Sequence, residues 1–472
     1  MSSTQLGRAA LARVPARARP DVDPGALRPR ILHLGLGAFH RAHQAPVTQR
    51  AVAAAGGDWG IAGVAPHSAA TVEGLRAQDH LYSLTEHDAA GSATTVVGAV
   101  VEALRLRPDA ARVAALLADP DVAVVTLTVT EKGYRRGSGG GPDITDPDVA
   151  ADLAGLVPPR TPIGALASGL AARMRGHGAP VTVLSCDNMA GNGVATEAAV
   201  RGFVAASDWP DRDRVLAALD SAVRFPSSVV DRIVPATTEG DRVAAARALG
   251  VGDVVPVAGE RYLQWVVERS FAGPRPPWER AGVELVDDVA PYALTKLRLL
   301  NGSHSALAYL GLAAGAETVA DAVATGWGAP LVRALAAEVA PSLPTGGPAP
   351  AAYAEALVGR FANPRLHHRL AQIGSDGSQK IAERWFPVLR AGAGGPVLHL
   401  ALAGWVHATR PGTPVADPLA DALAACHDPA DPTGTVARLL DAAGAPDLAA
   451  DGDLVAAVAA RLPALGAGRV EL

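Results

Sequence analysis

Three polar side chains in the stretch Lys296-Leu-Arg-Leu-Leu-Asn-Gly-Ser-His-Ser305 have types and spacing suited to moving a proton. On an α-helix, at about 100° per residue, Lys296, Asn301 and His304 fall within an arc of roughly 140°, and Asn301 and His304 are i,i+3 neighbours. Leu297, Leu299 and Leu300 then pack elsewhere. A lysine serves as a base only when burial or neighbouring cations bring its pKa down, a role closed to arginine. Of the 42 Lys and Arg residues only Lys132, Lys296 and Lys380 are lysines, so a lysine kept here is a candidate acid–base group. The plain alternatives are a helix-capping or acid-paired Lys296 and a satisfied core His304. Clustering in so lysine-poor a chain favours chemistry.

A second group of residues has the pattern of a nucleotide loop. Gly35-Leu-Gly-Ala-Phe-His40 lies between the apolar run Ile31 to Leu34 and a helical segment. Glycines there allow a tight turn and close approach to a pyrophosphate, whose charge the helix N-terminus attracts. His40 stands where the third glycine of G-x-G-x-x-G is usual. The next strand ends in Gly63-Val-Ala-Pro-His-Ser68, without the acid that binds a ribose 2′-hydroxyl, so NAD and NADP both remain open. Three further clusters resemble pocket material: Thr128-Val-Thr-Glu-Lys-Gly-Tyr134, Ser185-Cys-Asp-Asn-Met-Ala-Gly-Asn-Gly193 and Ser375-Asp-Gly-Ser-Gln-Lys380. Ordinary turn chemistry is the alternative for the last two, and a solvated Glu-Lys pair for the first.

The elements that must position these residues follow from hydrophobic period. Val122 to Val129 and Val181 to Ser185 read as strands buried on both faces, and Trp59 to Val64 as another short strand. Ala110 to Leu117 and Ile163 to Met174 have helical spacing. Strands alternating with helices predict an α/β, doubly wound parallel sheet. Tyr134 to Pro147 reads as a surface loop. Beyond about Pro291 the segments Lys296–Ala314, 317–325, 330–339, 351–361, 381–390 and 396–409 read as helices. Two domains are therefore expected, 1–285 and an all-helical 286–472.

Composition sets limits. With 472 residues, 49% hydrophobic and 19% charged, the chain is globular. A net charge of -5 gives no reason to expect nucleic acid, and no apolar run of about 20 residues suggests a membrane span. Two cysteines, Cys186 and Cys426, argue against a disulfide framework and a multi-cysteine metal site. A cytoplasmic enzyme is the default expectation. The Ala/Arg-rich first 30 residues read as a partly ordered arm rather than an organellar presequence, and they lack the apolar core of a secretory signal.

GLGAFHRAHQ, TVTEKGY, SCDNMAGNG, FPSSVVDRIVP, KLRLLNGSHS and DGSQK, in that order over roughly residues 30 to 410, resemble the mannitol dehydrogenase family. This is the group of polyol-specific long-chain dehydrogenases that includes mannitol 2-dehydrogenase and fructuronate reductase. The resemblance implies a Rossmann-type N-terminal domain, a helical C-terminal domain, a nicotinamide cofactor and no metal. It further implies that Lys296 is the acid/base and that Asn192 and Asn301 hydrogen-bond the reacting oxygen. By the same resemblance His304, Asp231 and Lys380 bind the substrate chain, Glu131 lines a proton path, and Gly35, Gly37 and Phe39 form the cofactor loop. Arg261 departs from the pattern, standing where the family has proline.

Hydride transfer from a secondary alcohol needs a base for the hydroxyl proton and donors for the developing alkoxide, which lysine and two carboxamides supply. The substrate favoured is D-fructuronate/D-mannonate, because DGSQK followed by Arg384 is closer to fructuronate reductases. Arg298, Arg365, Lys380 and Arg384 are candidate cations for a uronate carboxylate. The alternative within the class is mannitol 2-dehydrogenase. From other classes, a non-catalytic NAD(P)-sensing protein is disfavoured by the intact Lys296, Asn192 and Asn301, and a zinc enzyme by the want of a ligand set.

Overall fold

The computed structural model of the chain describes residues 4–137, 139–155 and 158–472. It divides into two compact units, Met1–Val289 and Ala290–Leu472. Strands of the first unit are β1 (Arg28–Leu34), β2 (Trp59–Ala65), β3 (Tyr82–Asp88), β4 (Gly91–Val97), β5 (Val100–Arg105), β6 (Val124–Leu127), β7 (Val181–Ser185), β8 (Val223–Arg224), β9 (Ser228–Asp231), β10 (Val257–Glu260), β11 (Gln264–Glu268) and β12 (Glu284–Val286).

Six of these strands form a parallel sheet in the order β5-β2-β1-β6-β7-β8, a Rossmann-type arrangement. Alternate residues of each strand enter opposite cores. Leu32, Leu34, Val125 and Leu127 pack on one face with Leu166 and Phe203. Ile31, Ile61 and Val124 pack on the other with Trp265 and Trp278. Burial on both faces is why these strands read as near-continuous apolar runs. The strand order reverses between β1 and β6, so their carboxyl ends, Leu34 and Leu127, flank the crevice where open α/β sheets take ligands.

The strand expected over Val122 to Val129 pairs only across Val124–Leu127. Its last residues leave the ladder because the Val129 and Thr130 N–H groups donate to the Asp187 carboxylate instead. Two small mixed sheets, β10-β3-β4 and β12-β11-β9, were not apparent from apolar period. Their inward positions include polar residues such as Ser83 and Thr85, which the fold satisfies through Asp253 and Thr94. The Arg232 guanidinium, buried just after β9, gathers several of these pieces. It donates to the Glu260 carbonyl, to Glu86 at 2.6 Å and to the Ala42 carbonyl.

The N-terminal arm is ordered rather than loose. Leu6, Ala10, Val14 and Ala18 recur every fourth residue and pack against Leu81, Val96, Leu249 and Val251. Leu6 N–H donates to the Gly252 carbonyl at 2.7 Å, and Arg8 N–H to Asp79 at 2.9 Å. Its apolar spacing was hidden by the surrounding arginines.

The second unit is helical throughout its described elements. The helix Gly302–Ala313 runs through its core, with Ser303 to Gly311 all buried against helix Pro396–Ala408 and the Trp385 side chain. Two expected helices differ from the sequence reading. Ile381 to Arg390 is split into Gly377–Arg384 and Phe386–Arg390, because Pro387 offers no N–H to continue the ladder. Lys296 to Ala314 begins not as an α-helix but as a π-helix over Lys296–Asn301.

Leu6→Ala tests the packing of the arm. Removing a side chain that is 1% exposed should cost roughly 2–3 kcal/mol, lowering the thermal midpoint of the first unit by several degrees. An unchanged melting curve would show that the arm contributes nothing to the core.

Candidate active site

The turn after β1 has the features of a phosphate cradle. Gly35 lies at φ +111°, and a Cβ there would sit 2.2 Å from the Thr128 carbonyl oxygen, so only glycine fits. Gly37 precedes the helical turn Ala38–Ala42, whose leading N–H groups receive no side-chain cap. Phe39 is half-buried and stacks on His43 at 5.0 Å. These backbone donors beside a side-chain-free cradle fit a dinucleotide pyrophosphate. At the end of β2 the residues are Ala65, Pro66, His67 and Ser68, and the Ser68 hydroxyl caps the next helix by accepting from Thr71 N–H. No carboxylate marks a ribose 2′-hydroxyl there.

His40, in the place of the third glycine, turns inward and stacks on His33 with ring centroids 3.4 Å apart. The hydrogen bonds assign the His33 tautomer. Thr128 gives its hydroxyl proton to the Gly35 carbonyl, so it accepts from His33 Nε2, and Nδ1 accepts from Thr126. Both imidazoles are fully buried. Burial pushes His33 down to about 3 and His40 well below the ordinary range, with His33, Arg41 and His43 adding to the latter shift.

Around the ends of β6 and β7 the organising group is Asp187, which the sequence reading included only as part of a cluster. Its carboxylate accepts from Val129 N–H, Thr130 N–H and the Tyr134 hydroxyl, while burial raises its pKa. The three donors hold Thr130 at φ +64°, ψ 162°, a region that non-glycine residues rarely enter. Glu131 follows directly, exposed in a 3-10 turn and lining an open cavity of about 930 Å³ with Lys132, Arg135, Arg136 and Asp143. A left-handed threonine has no sequence signal beyond its neighbours.

Asn192 and Asp231 both lie in the first unit, Asn192 bonded to the start of β9 and Asp231 at its end. Asn192 is fully buried, and its carboxamide is engaged on every side. Nδ2 donates to the Asp187 and Ser228 carbonyls at 2.9 Å each, and Oδ1 accepts from Ser228 N–H. In this arrangement it ties the SCDN loop to β9, and a role towards a substrate oxygen requires one of those bonds to be exchanged. Asp231, 6% exposed, ends β9 opposite Gln264.

In the second unit the π-helix decides the geometry. Gly302 N–H is shared between the Leu297 carbonyl, five residues back, and the Leu299 carbonyl, three back. In an i→i+5 turn, residues five apart come onto adjacent turns, and Lys296 and Asn301 are five apart. The 140° arc expected of an α-helix is therefore narrowed. Lys296 is 8% exposed, the most buried of the three lysines; Lys380 is half-buried and Lys132 exposed. His304 lies below, its ring 4.4 Å from Phe361 and 5.2 Å from His368, with Nε2 unpartnered among the described residues. Burial first, then the charges of His368, Arg360, Arg384 and Lys296, hold His304 well below the usual imidazole range.

Four cations were named for a carboxylate, and their partners are now visible. Arg298 donates to the Ser342 carbonyl, and Lys380 Nζ to the Ile373 and Ser375 carbonyls at 3.1 and 2.5 Å. Arg384 Nη1 donates to the Asn301 carbonyl at 3.1 Å and to Ser305 Oγ at 2.7 Å. Arg365 is exposed. Burial and Arg384 both lower the Lys380 pKa. Among the described residues no cluster of three or more His, Cys, Asp or Glu is arranged to hold a metal ion. Nor is any helix long and apolar enough to cross a membrane.

The stacked pair of buried histidines, His33 and His40, makes the first unit acid-sensitive. An unfolded histidine binds a proton near pH 6.5, whereas folded His33 does so only near 3. Between those values the unfolded state holds the extra proton. The stability is therefore complete above about pH 6.5 and is lost as pH falls, by up to ~1.4 kcal/mol per pH unit for each histidine. Urea midpoints between pH 7 and 4 should fall more steeply for the native chain than for His33→Gln; equal slopes would refute the assignment.

The comparisons agree with this architecture. Residues 29–280 match the mannitol dehydrogenase Rossmann domain, and residues 288–465 the mannitol dehydrogenase C-terminal domain. A D-mannonate oxidoreductase of Escherichia coli (strain K12) is 40% identical over 83% of this chain and 82% of its own length. A mannitol 2-dehydrogenase of Pyrenophora tritici-repentis is 38% identical over 83% of this chain and 70% of its own. Among solved structures, the Pseudomonas fluorescens mannitol 2-dehydrogenase ternary complex with NAD and D-mannitol aligns with a TM-score of 0.81 and 31% identity, covering 98% of this chain and 97% of that one. With both domain models matched along most of its length, the chain belongs to the mannitol dehydrogenase family.

Proposed function

We propose that this chain is a metal-independent oxidoreductase that moves hydride between NAD(P) and a secondary alcohol of a sugar acid, D-fructuronate/D-mannonate. Membership of the family makes it a nicotinamide-dependent dehydrogenase of CH–OH groups. The observation that carries the sugar-acid reading is the basic surrounding of His304, where Lys296, Arg360 and Arg384 all act on one buried imidazole. Such a field favours an anion over a neutral polyol. The 40% identity to a D-mannonate oxidoreductase points the same way.

In this reading a bound nicotinamide supplies the hydride acceptor for alcohol oxidation. Gly35, Gly37 and Phe39 hold the cofactor, with the backbone N–H groups after Gly37 on the pyrophosphate. Lys296 Nζ takes the hydroxyl proton as hydride leaves, and returns it in the reducing direction. The Asn301 carboxamide donates to the oxygen on which charge develops, as Asn192 does once one of its present bonds is exchanged. Neutral His304 offers Nε2 to a substrate hydroxyl; Asp231 and Lys380 bind the chain, and Glu131 passes the proton to solvent. The want of an acid after β2 leaves room for NADP as well as NAD.

Lys296→Ala should lower kcat by at least about 10³-fold with cofactor Kd unchanged; near-normal turnover would remove Lys296 from the mechanism. The substrate is decided by kcat/KM for D-mannonate against D-mannitol, each with NAD and NADP and with a strong chelator present. The sugar acid should win by more than about tenfold. Preference for D-mannitol would establish a mannitol 2-dehydrogenase, and activity lost to the chelator would refute metal independence. Because burial keeps His304 unprotonated well below pH 6.5, His304→Gln should lower kcat/KM and leave the ionisations of its pH profile in place. Loss of an ionisation in that variant would show that His304 titrates.

A further inference from the structure

The geometry points to Arg384 as a positioning residue that locks the π-turn carrying Lys296 and Asn301, rather than as the grip for a substrate carboxylate. This rests on the reading of those two residues as the reacting pair. Arg384 ends the helix Gly377–Arg384 and is largely withdrawn from solvent. Its Nη1 donates to two acceptors one turn apart, the Asn301 carbonyl at 3.1 Å and the Ser305 hydroxyl at 2.7 Å. Those acceptors straddle the place where the π-helix Lys296–Asn301 becomes the α-helix Gly302–Ala313.

A π-turn is a rare and less favourable backbone arrangement that tends to revert unless something outside the helix holds it. Reversion here would return Gly302 N–H to an α-helical acceptor and rotate Asn301 away from Lys296. A charged donor on the carbonyl at the junction opposes that rotation, since charge-assisted hydrogen bonds are about twice as strong as neutral ones. Trp385, next to Arg384 in the chain, packs alongside the junction, its indole Nε1 lying 3.4 Å from where a Cβ on Gly302 would stand. Among the described residues Arg384 makes no ion pair, so its charge is not held in place by an acid. Burial is the largest influence on its pKa and lowers it. The same arginine follows Lys380 by four residues on one helix, so a single element carries both the clamp and a substrate-binding lysine.

The full-length enzyme is compared with Arg384→Ala, Arg384→Lys and Ser305→Ala, on D-mannonate and on D-mannitol, with circular dichroism as the check on folding. A positioning role predicts that Arg384→Ala lowers kcat about 100-fold for whichever substrates the native enzyme turns over. KM should change less than about threefold, and added ethylguanidinium should restore part of kcat. Ser305→Ala, which removes one acceptor, should lower kcat several-fold with KM kept. A rise in KM for D-mannonate alone, with kcat preserved, overturns the proposal and makes Arg384 the carboxylate grip. An unchanged kcat in Ser305→Ala overturns it should Arg384→Ala fail to fold. Lys296→Ala run alongside separates the two levels: normal turnover there defeats the underlying catalytic reading, whatever Arg384 does.

Discussion

The π-turn over Lys296–Asn301, in which Gly302 N–H reaches the carbonyl of Leu297 five residues back, sets the spacing of the polar side chains in the second unit. An α-helix would bond each N–H four residues back and put Lys296 and Asn301 on well-separated lines of the helix surface. The wider turn brings the proposed base and the proposed carboxamide donor onto successive turns of one segment, as proton removal beside a stabilised alkoxide would require. The turn also ends the problem of burying a lysine among leucines. Leu299 and Leu300 fill the core at 0% and 3% exposure while Lys296 keeps a small opening.

Electrostatics in that unit are lopsided, and the lopsidedness has a use. His304 feels Lys296, Arg360, His368 and Arg384, all of which disfavour its protonation on top of burial. A neutral imidazole can both accept and donate a hydrogen bond, so it suits a hydroxyl-bearing chain.

The first unit solves a different problem, that of holding loops in place at the carboxyl edge of a sheet without a disulfide. A buried carboxylate does so. Asp187 draws the end of β6, the left-handed Thr130 and Tyr134 into one cluster, and Asn192 then fastens the following loop to β9. The same economy is visible beneath the glycine turn after β1. His33 bridges Thr126 and Thr128 while supporting the stacked His40, filling with two flat rings the volume that a third glycine would have left to close helix packing.

By itself the sequence determined the fold class, the chemical cast and most element positions. Strands buried on two faces leave unbroken β-branched runs, as at Val181 to Ser185, and phosphate turns demand glycine at a position like Gly35 whatever surrounds them. It also singled out Lys296 through the scarcity of lysine. Tertiary structure decided what local patterns cannot encode. The π-turn depends on support from Arg384, 83 residues further along; the N-terminal arm orders only because Leu81 and Val251 await it; the small mixed sheets bury polar residues that find partners across the unit. Asn192 marks the same limit from the other side. Its residue type announced a donor, yet where its hydrogens go was set by the backbone of a strand 36 residues away. Local sequence specifies which groups are available, and long-range hydrogen bonding specifies which of them are spent.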